Sequence, residues 1–155
     1  MLVMTAKVNK KKLAIIFAAI LVAIAALAVI IRGDGSASPT VSTGTANDAR
    51  VEFLKGFGWD VTATPMESSQ VKIPMETSQI FDRYNELQKS QGYDLSKYAG
   101  KTVMRYVYEI KNFPGATDPV FATVLVYKNE IIGGDVTDTS AKGKIQGFKM
   151  VESGQ

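Results

Sequence analysis

The sequence predicts an α+β fold: an antiparallel sheet with an amphipathic helix packed on one face, preceded by one N-terminal transmembrane helix. Three observations carry this reading. Leu13 to Ile31 (LAIIFAAILVAIAALAVII) is an unbroken apolar run. Ile80, Phe81, Tyr84, Leu87 and Gln91 recur at helical spacing, with Asp82, Arg83, Glu86 and Lys89 on the opposite side. Thr102–Lys111 and Val120–Lys128 recur at strand spacing and are bounded by Pro, Gly and Asn.

The apolar run comes first. As a helix it spans about 28 Å, close to the ~30 Å hydrocarbon core of a bilayer. Lys7 and Lys10-Lys11-Lys12 lie before it and Arg32 closes it. Positive charge is retained on the cytoplasmic side, so residues 1–12 are read as a cytoplasmic basic N-terminus and 13–31 as a signal-anchor. A cleaved signal peptide is the alternative, but its apolar core is shorter and ends at a small-residue site. Here the nearest candidate, Ser36-Ala37-Ser38, lies several residues beyond the run. A buried helix of a soluble core is the other alternative, and the run has no polar face to turn to water.

Charge is distributed unevenly. Lys and Arg total 18 and Asp and Glu 15, yet the first 32 residues hold five positives and no acid. The rest is mildly acidic, which argues against a nucleic-acid-binding domain, because such a domain needs a basic face. Cys and His are both absent. Disulfides, thiol catalysis, the usual Zn ligand sets, c-type haem, lipoprotein acylation and imidazole-based triads are therefore excluded. No metal or cofactor is assigned.

Residues 32–47 are rich in Gly, Ser, Thr and Ala without an apolar period and read as a flexible linker. An extracytoplasmic α+β domain is assigned to residues 48–148 and a tail to 149–155. Asp48 is expected to cap a short helix carrying Val51, Phe53, Leu54 and Phe57 that Gly56 and Gly58 end. Trp59–Thr64 alternates and reads as a strand ended by Pro65, and Gln70–Ile73 as a second ended by Pro74. Thr77 or Ser78 opens the amphipathic helix, and Gly92 stops it. Tyr93–Gly100 is a compact loop with Tyr93, Leu95 and Tyr98 turned inward.

In Thr102–Lys111, Met104, Tyr106, Tyr108 and Ile110 form the apolar face. Arg105, Glu109 and Lys111 are expected on a wet face, with Val103 and Val107 between them. Val120–Lys128 is apolar on both sides and should be central. Asn112–Pro119 suits a longer hairpin loop. Lys128-Asn129-Glu130 is a tight turn, because Asn tolerates positive φ. Ile131 and Ile132 return as a further strand.

Several blocks now match a known pattern in order: RVEFLKGFGW at 50–59, Ile73-Pro74, YNELQKSQGYDLSKYAGK at 84–101, RYVYEIKNFP at 105–114 and LVYKNEIIGGDV at 125–136. Together they resemble the uncharacterised bacterial family called domain of unknown function 4830, over nearly the whole outer domain. The resemblance implies a membrane segment near the N-terminus and one small outer domain, mostly in Gram-positive bacteria. It implies no activity, cofactor or catalytic residue.

The candidate site residues are Gly133, Gly134, Asp135, Asp138 and Arg105. Paired glycines at a strand end let a backbone approach a ligand closely or form an anion nest. Asp135, Thr137 and Asp138 could instead offer hard oxygens to Ca²⁺. The plainer reading is a β-bulge or a crowded strand crossing, with Asp135 bonded locally. Arg105 and Glu109 could meet a charged partner, and a solvated face is the commoner reason for such a pair. The Tyr residues and Trp59 could line a groove, although pattern places most in the core. Asp94 could be a catalytic carboxylate or the cap of a short turn at Leu95–Tyr98.

The functional expectation is a single-pass membrane protein, N-terminus cytoplasmic, that displays a small non-catalytic binding or regulatory domain at the bacterial cell envelope. Its partners would be the membrane, through residues 13–31, and an envelope protein or cell-wall component. The alternative is a carboxylate-dependent envelope hydrolase, with or without a metal ion, which needs two acids across one cleft.

Overall fold

The computed structural model describes residues 46–150. The basic N-terminus, the signal-anchor at 13–31 and the linker up to residue 45 lie outside the described residues. Among those described, no helix is long and apolar enough to cross a membrane.

The elements in chain order are α1 (Ala46–Gly56), β1 (Glu67–Lys72), α2 (Gln79–Ser90), a 3₁₀ turn (Leu95–Tyr98), β2 (Thr102–Ile110), β3 (Val120–Tyr127), β4 (Glu130–Asp138) and β5 (Ile145–Gln146). The strands form one antiparallel five-stranded sheet in the order β1-β2-β3-β4-β5. With the two helices this is the expected α+β class, and β3 is central as its apolarity on both sides predicts.

Several helix and turn signals act as expected. The Ser78 hydroxyl accepts the Phe81 N–H and caps α2. At the other end Gly92 has φ +89°, its N–H meets the Lys89 carbonyl, and the Tyr93 N–H meets the Gln88 carbonyl. That paired closure is the glycine-dependent helix stop known as a Schellman motif. Lys128 and Asn129 both have positive φ, 47° and 65°, so the β3–β4 hairpin is a two-residue turn matched to strand twist.

The expected wet face of β2 is a correction. Val103 and Val107 are 2% and 7% exposed, and the Arg105 side chain only 14%. The sheet is covered on both faces. Leu54, Trp59, Tyr108, Ala122, Val124, Val136 and Phe148 form a core under α1. Val71, Ile73, Phe81, Leu95, Val103 and Leu125 form a second core under α2 and the 3₁₀ turn. Two helices sandwich the sheet because both sides of its central strands are apolar and each must be removed from water.

Four further differences have physical reasons. Trp59–Thr64 makes only an isolated bridge, Val61 to Ile110, because the chain bends away before Pro65 and leaves no ladder to extend. The strand read at Gln70–Ile73 begins earlier, at Glu67, and ends at Lys72. Helix α1 starts at Ala46, so Asp48 sits in the first turn, where a carboxylate favours the helix dipole. The inward face of α2 is rotated: Phe81, Asn85 and Gln88 are buried while Ile80 is half exposed. Two of its buried side chains are amides with specific partners, which an apolar period cannot detect.

The C-terminal end also adds structure. Phe148 is 1% exposed. Its ring lies 5.1 Å from Phe53 and 5.5 Å from Phe57. The Trp59 indole N–H donates to its carbonyl at 2.6 Å. Met150 packs against the same core, so the folded unit continues past the expected boundary at 148.

Candidate functional site

The face of the sheet under α2 carries the polar residues of interest. Register places Arg105 on β2 opposite Leu125 on β3, and Thr123 on β3 opposite Asp135 on β4. Side chains two apart on a strand share a face, so Arg105, Thr123, Asp135 and Thr137 all point toward α2. From that helix Tyr84 reaches down to them.

Asp135 is 2% exposed. Its Oδ1 accepts the Tyr84 hydroxyl at 2.7 Å and its Oδ2 the Thr137 hydroxyl at 2.7 Å. Burial raises its pKa above the ordinary carboxylate value, while the Thr137 and Tyr84 bonds and the Arg105 charge oppose that rise. Burial, followed by the neighbouring Asp135, pushes the Tyr84 phenol well above its ordinary value. Arg105 turns its Nη1 outward to Glu67 Oε1 at 2.6 Å, and the Glu67 side chain is 57% exposed. That pair is the solvent-side end of the site.

These residues form the floor of a cavity between α2 and the sheet. Val71, Ile73, Pro74, Phe81, Leu95, Leu125 and Ile145 supply apolar walls, and Tyr84, Arg105, Thr123 and Asp135 the polar floor. Its volume is about 50 Å³. One water needs about 10–15 Å³, so the cavity has room for a few waters or one short alkyl group. Because each Asp135 oxygen already has a donor, the floor is a connected network that can orient a ligand without offering a bare buried charge.

Of the five candidate residues, the structure brings Arg105 and Asp135 to this cavity. Asp138 lies apart, at the far end of β4. There Oδ1 accepts the Ser140 N–H at 2.8 Å and Oδ2 its hydroxyl at 3.0 Å, closing a local turn. Gly133 and Gly134 lie inside β4 and not at its end. A Cβ on Gly133 would sit 2.7 Å from Gln88 Oε1, and one on Gly134 would overlap the Thr123 carbonyl and the Phe148 ring. The register shifts beside them, at Leu125/Val126. The glycines therefore serve the crowded crossing of β4 with α2 and the C-terminal segment.

Asp94 caps the 3₁₀ turn through the Ser96 N–H and hydroxyl and also accepts from Asn85. The hydrogen bonds from Ser96, then Asn85, lower its pKa to about 2. Among the described residues no group of three or more His, Cys, Asp or Glu lies together to hold a metal ion.

Thr123 escapes the sequence-level reading of the site, and Tyr84 enters it only as one of the aromatics that could line a groove. The available signal was Thr123, Asp135 and Thr137 at alternating positions of otherwise apolar strands, a pattern that marks a buried polar network. No curated protein and no solved structure gave a match to this chain. The family model described as a domain of unknown function (DUF4830) matches residues 53–136, from α1 through the Tyr84, Arg105, Thr123 and Asp135 floor, and the chain belongs to that family.

Proposed function

We propose that the protein is a single-pass membrane protein with its N-terminus in the cytoplasm, displaying a binding domain at the outer side of the membrane. The apolar run at 13–31 with its lysine-rich leading flank supports the topology. The observation that carries the binding role is the partly open apolar cavity whose polar floor includes Tyr84 and Asp135, with the Asp135 carboxylate held in place by the Tyr84 and Thr137 hydroxyls. Beside it in the chain, Met75 is 77% and Ile80 50% exposed, neighbours of the lining residues Pro74 and Phe81. The cavity and this apolar rim suit a short alkyl or aliphatic side chain of an envelope component, and tethering raises the local concentration of such a partner.

A photo-crosslinking amino acid tests this in native membranes. At position 74 it should capture a discrete adduct that Leu125→Trp, which fills the cavity, suppresses. At exposed position 142 it should not. Equal capture from both positions, or an adduct indifferent to Leu125→Trp, contradicts the proposal.

A further inference from the structure

Arg50, on the other face of the sheet, has no part in the cavity. It is 8% exposed, and neither ion pair among the described residues, Lys55–Glu52 or Arg105–Glu67, involves it. A guanidinium taken this far from water is costly unless its charge and its N–H bonds are answered.

Part of the answer is aromatic. The Arg50 Cζ lies 3.6 Å above the centroid of the Tyr106 ring, close enough for a strong cation–π contact. Its Nε–H donates to the Tyr108 hydroxyl at 2.8 Å. That hydroxyl donates to Asn47 Oδ1 at 2.9 Å, and Asn47 Nδ2 donates to the Ala63 carbonyl at 2.8 Å. The frame is thus satisfied except at the Nη fork of Arg50, which bonds to none of the described residues. Among the described residues, Gln88 Nε2 is the single buried side-chain polar atom without a partner. The Nη atoms are therefore not sealed in, and the residue's small exposed part includes them.

A fork held flat on one tyrosine and pinned at Nε by another is oriented in advance, which suits bidentate binding of a phosphate. A helical side chain leans toward its helix N-terminus, and Arg50 accordingly shares the Tyr108 hydroxyl with Asn47 in the first turn of α1. The helix dipole at that end favours the same charge.

We propose that Arg50 binds a phosphate-type oxyanion, supplied by a lipid headgroup or by free phosphate. The lipid source rests on the topology proposed above. The reading of residues 32–47 as a flexible tether, with a root-mean-square reach of about 20 Å, keeps α1 near the bilayer surface.

The test is NMR of the full-length protein in a neutral detergent, following the Arg50 Nε–Hε peak and the Tyr106 and Tyr108 amides. Inorganic phosphate should move all three saturably at constant ionic strength, and chloride should not. Arg50→Lys, which keeps the charge but loses the planar fork, should weaken the response of the two amides roughly tenfold. If that variant fails to fold, the wild-type titration decides alone. An Arg50 peak that phosphate leaves in place, or one that moves in parallel with Arg105, overturns the proposal. In nanodiscs, replacing part of the phosphatidylcholine with phosphatidylglycerol should reproduce the shift. A shift with free phosphate and with neither disc supports the site but rejects the lipid source. The detergent titration does not depend on which side of the membrane displays the domain, so a failed topology leaves its outcome readable.

Discussion

Gln88 of α2 caps the backbone of Gly134 in β4: its Oε1 accepts the Gly134 N–H at 2.8 Å. One helical turn on, Gln91 Nε2 donates to the Gly134 carbonyl at 3.0 Å, and Gln91 Oε1 accepts the Phe148 N–H at 2.7 Å. Strand β5 pairs with β4 only at Val136 and Thr137, so Gly134 lies beyond its reach. The two glutamines replace the missing strand and cover an edge that would otherwise be open to pairing.

This arrangement ranks three glycine substitutions. Gly134→Ala should cost about 3 kcal/mol, because the new methyl overlaps a backbone carbonyl and a packed ring. Gly133→Ala should cost about 2 kcal/mol, since it sits at φ +157° and meets the end of a flexible side chain, disturbing the Gln88 bond. Gly92→Ala has open space and only the positive φ to oppose it, a cost of about 1 kcal/mol. Urea unfolding of the full-length protein in neutral detergent reads the order. A Gly133→Ala effect larger than that of Gly134→Ala contradicts the packing described.

The same pair of amides predicts unequal glutamine effects. Gln91→Ala strands two partly buried backbone groups and should destabilise by about 1–2 kcal/mol. Gln88→Met removes an acceptor but also removes the buried, unpartnered Nε2. Its net change should stay within about 1 kcal/mol. Chemical denaturation of the two variants side by side checks this, and equal losses would show that the orphan donor carries no penalty.

Phe148→Ala should destabilise by about 3–5 kcal/mol, the usual cost of emptying a fully buried aromatic site. Trp59 is the single tryptophan of the chain and bonds to the Phe148 carbonyl, so its emission should shift to longer wavelength in the native state. An unchanged emission maximum and denaturation midpoint would place Phe148 outside the core.

Two aspartates should give opposite pH signatures. Asp135 has a raised pKa in the folded protein because of burial, so the folded state holds its proton more tightly than the unfolded chain. Its contribution is fully present below the ordinary aspartate value and is lost as pH rises through the folded value. Asp94, lowered to about 2 chiefly by the Ser96 and Asn85 hydrogen bonds, contributes above its ordinary value and loses that contribution as pH falls toward 2. Denaturation midpoints across acidic pH for wild type, Asp135→Asn and Asp94→Asn separate the terms. Asp135→Asn should gain relative stability as pH rises, and Asp94→Asn should lose it. The reverse order for Asp135 would place its carboxyl in contact with water or a stronger positive charge.

Legibility in the sequence followed the range of the interactions. The Ser78 cap, the Gly92 stop and the Lys128-Asn129 hairpin depend on a few adjacent residues, and each occurs where the residues predict it. The central place of β3 follows from apolarity on both sides. Phe148 was hidden because its role depends on Trp59 and Phe53, far away in the chain. Arg105 reads as wet because alternation cannot reveal a second helix arriving over Val103 and Leu125. For the site, the glycine pair marks Asp135 and the strand alternation marks Arg105, whereas Tyr84 reads only as one of several aromatics, because its pairing with Asp135 depends on how α2 lies on β4. The glycine pair suggested a ligand or a crossing, and the Gln88 and Phe148 contacts account for it as a crossing.

The proposed topology can be tested most directly through a feature of the composition: the chain contains no cysteine, so a single introduced thiol is unambiguous. Lys97→Cys, on the exposed side of the 3₁₀ turn, should react with a membrane-impermeant maleimide in intact, wall-stripped cells. Thr5→Cys should react only after lysis. Labelling of Thr5→Cys in intact cells with Lys97→Cys protected, or recovery of the full chain in the soluble fraction, would contradict the proposal that a membrane anchor displays the binding domain outside the cytoplasm.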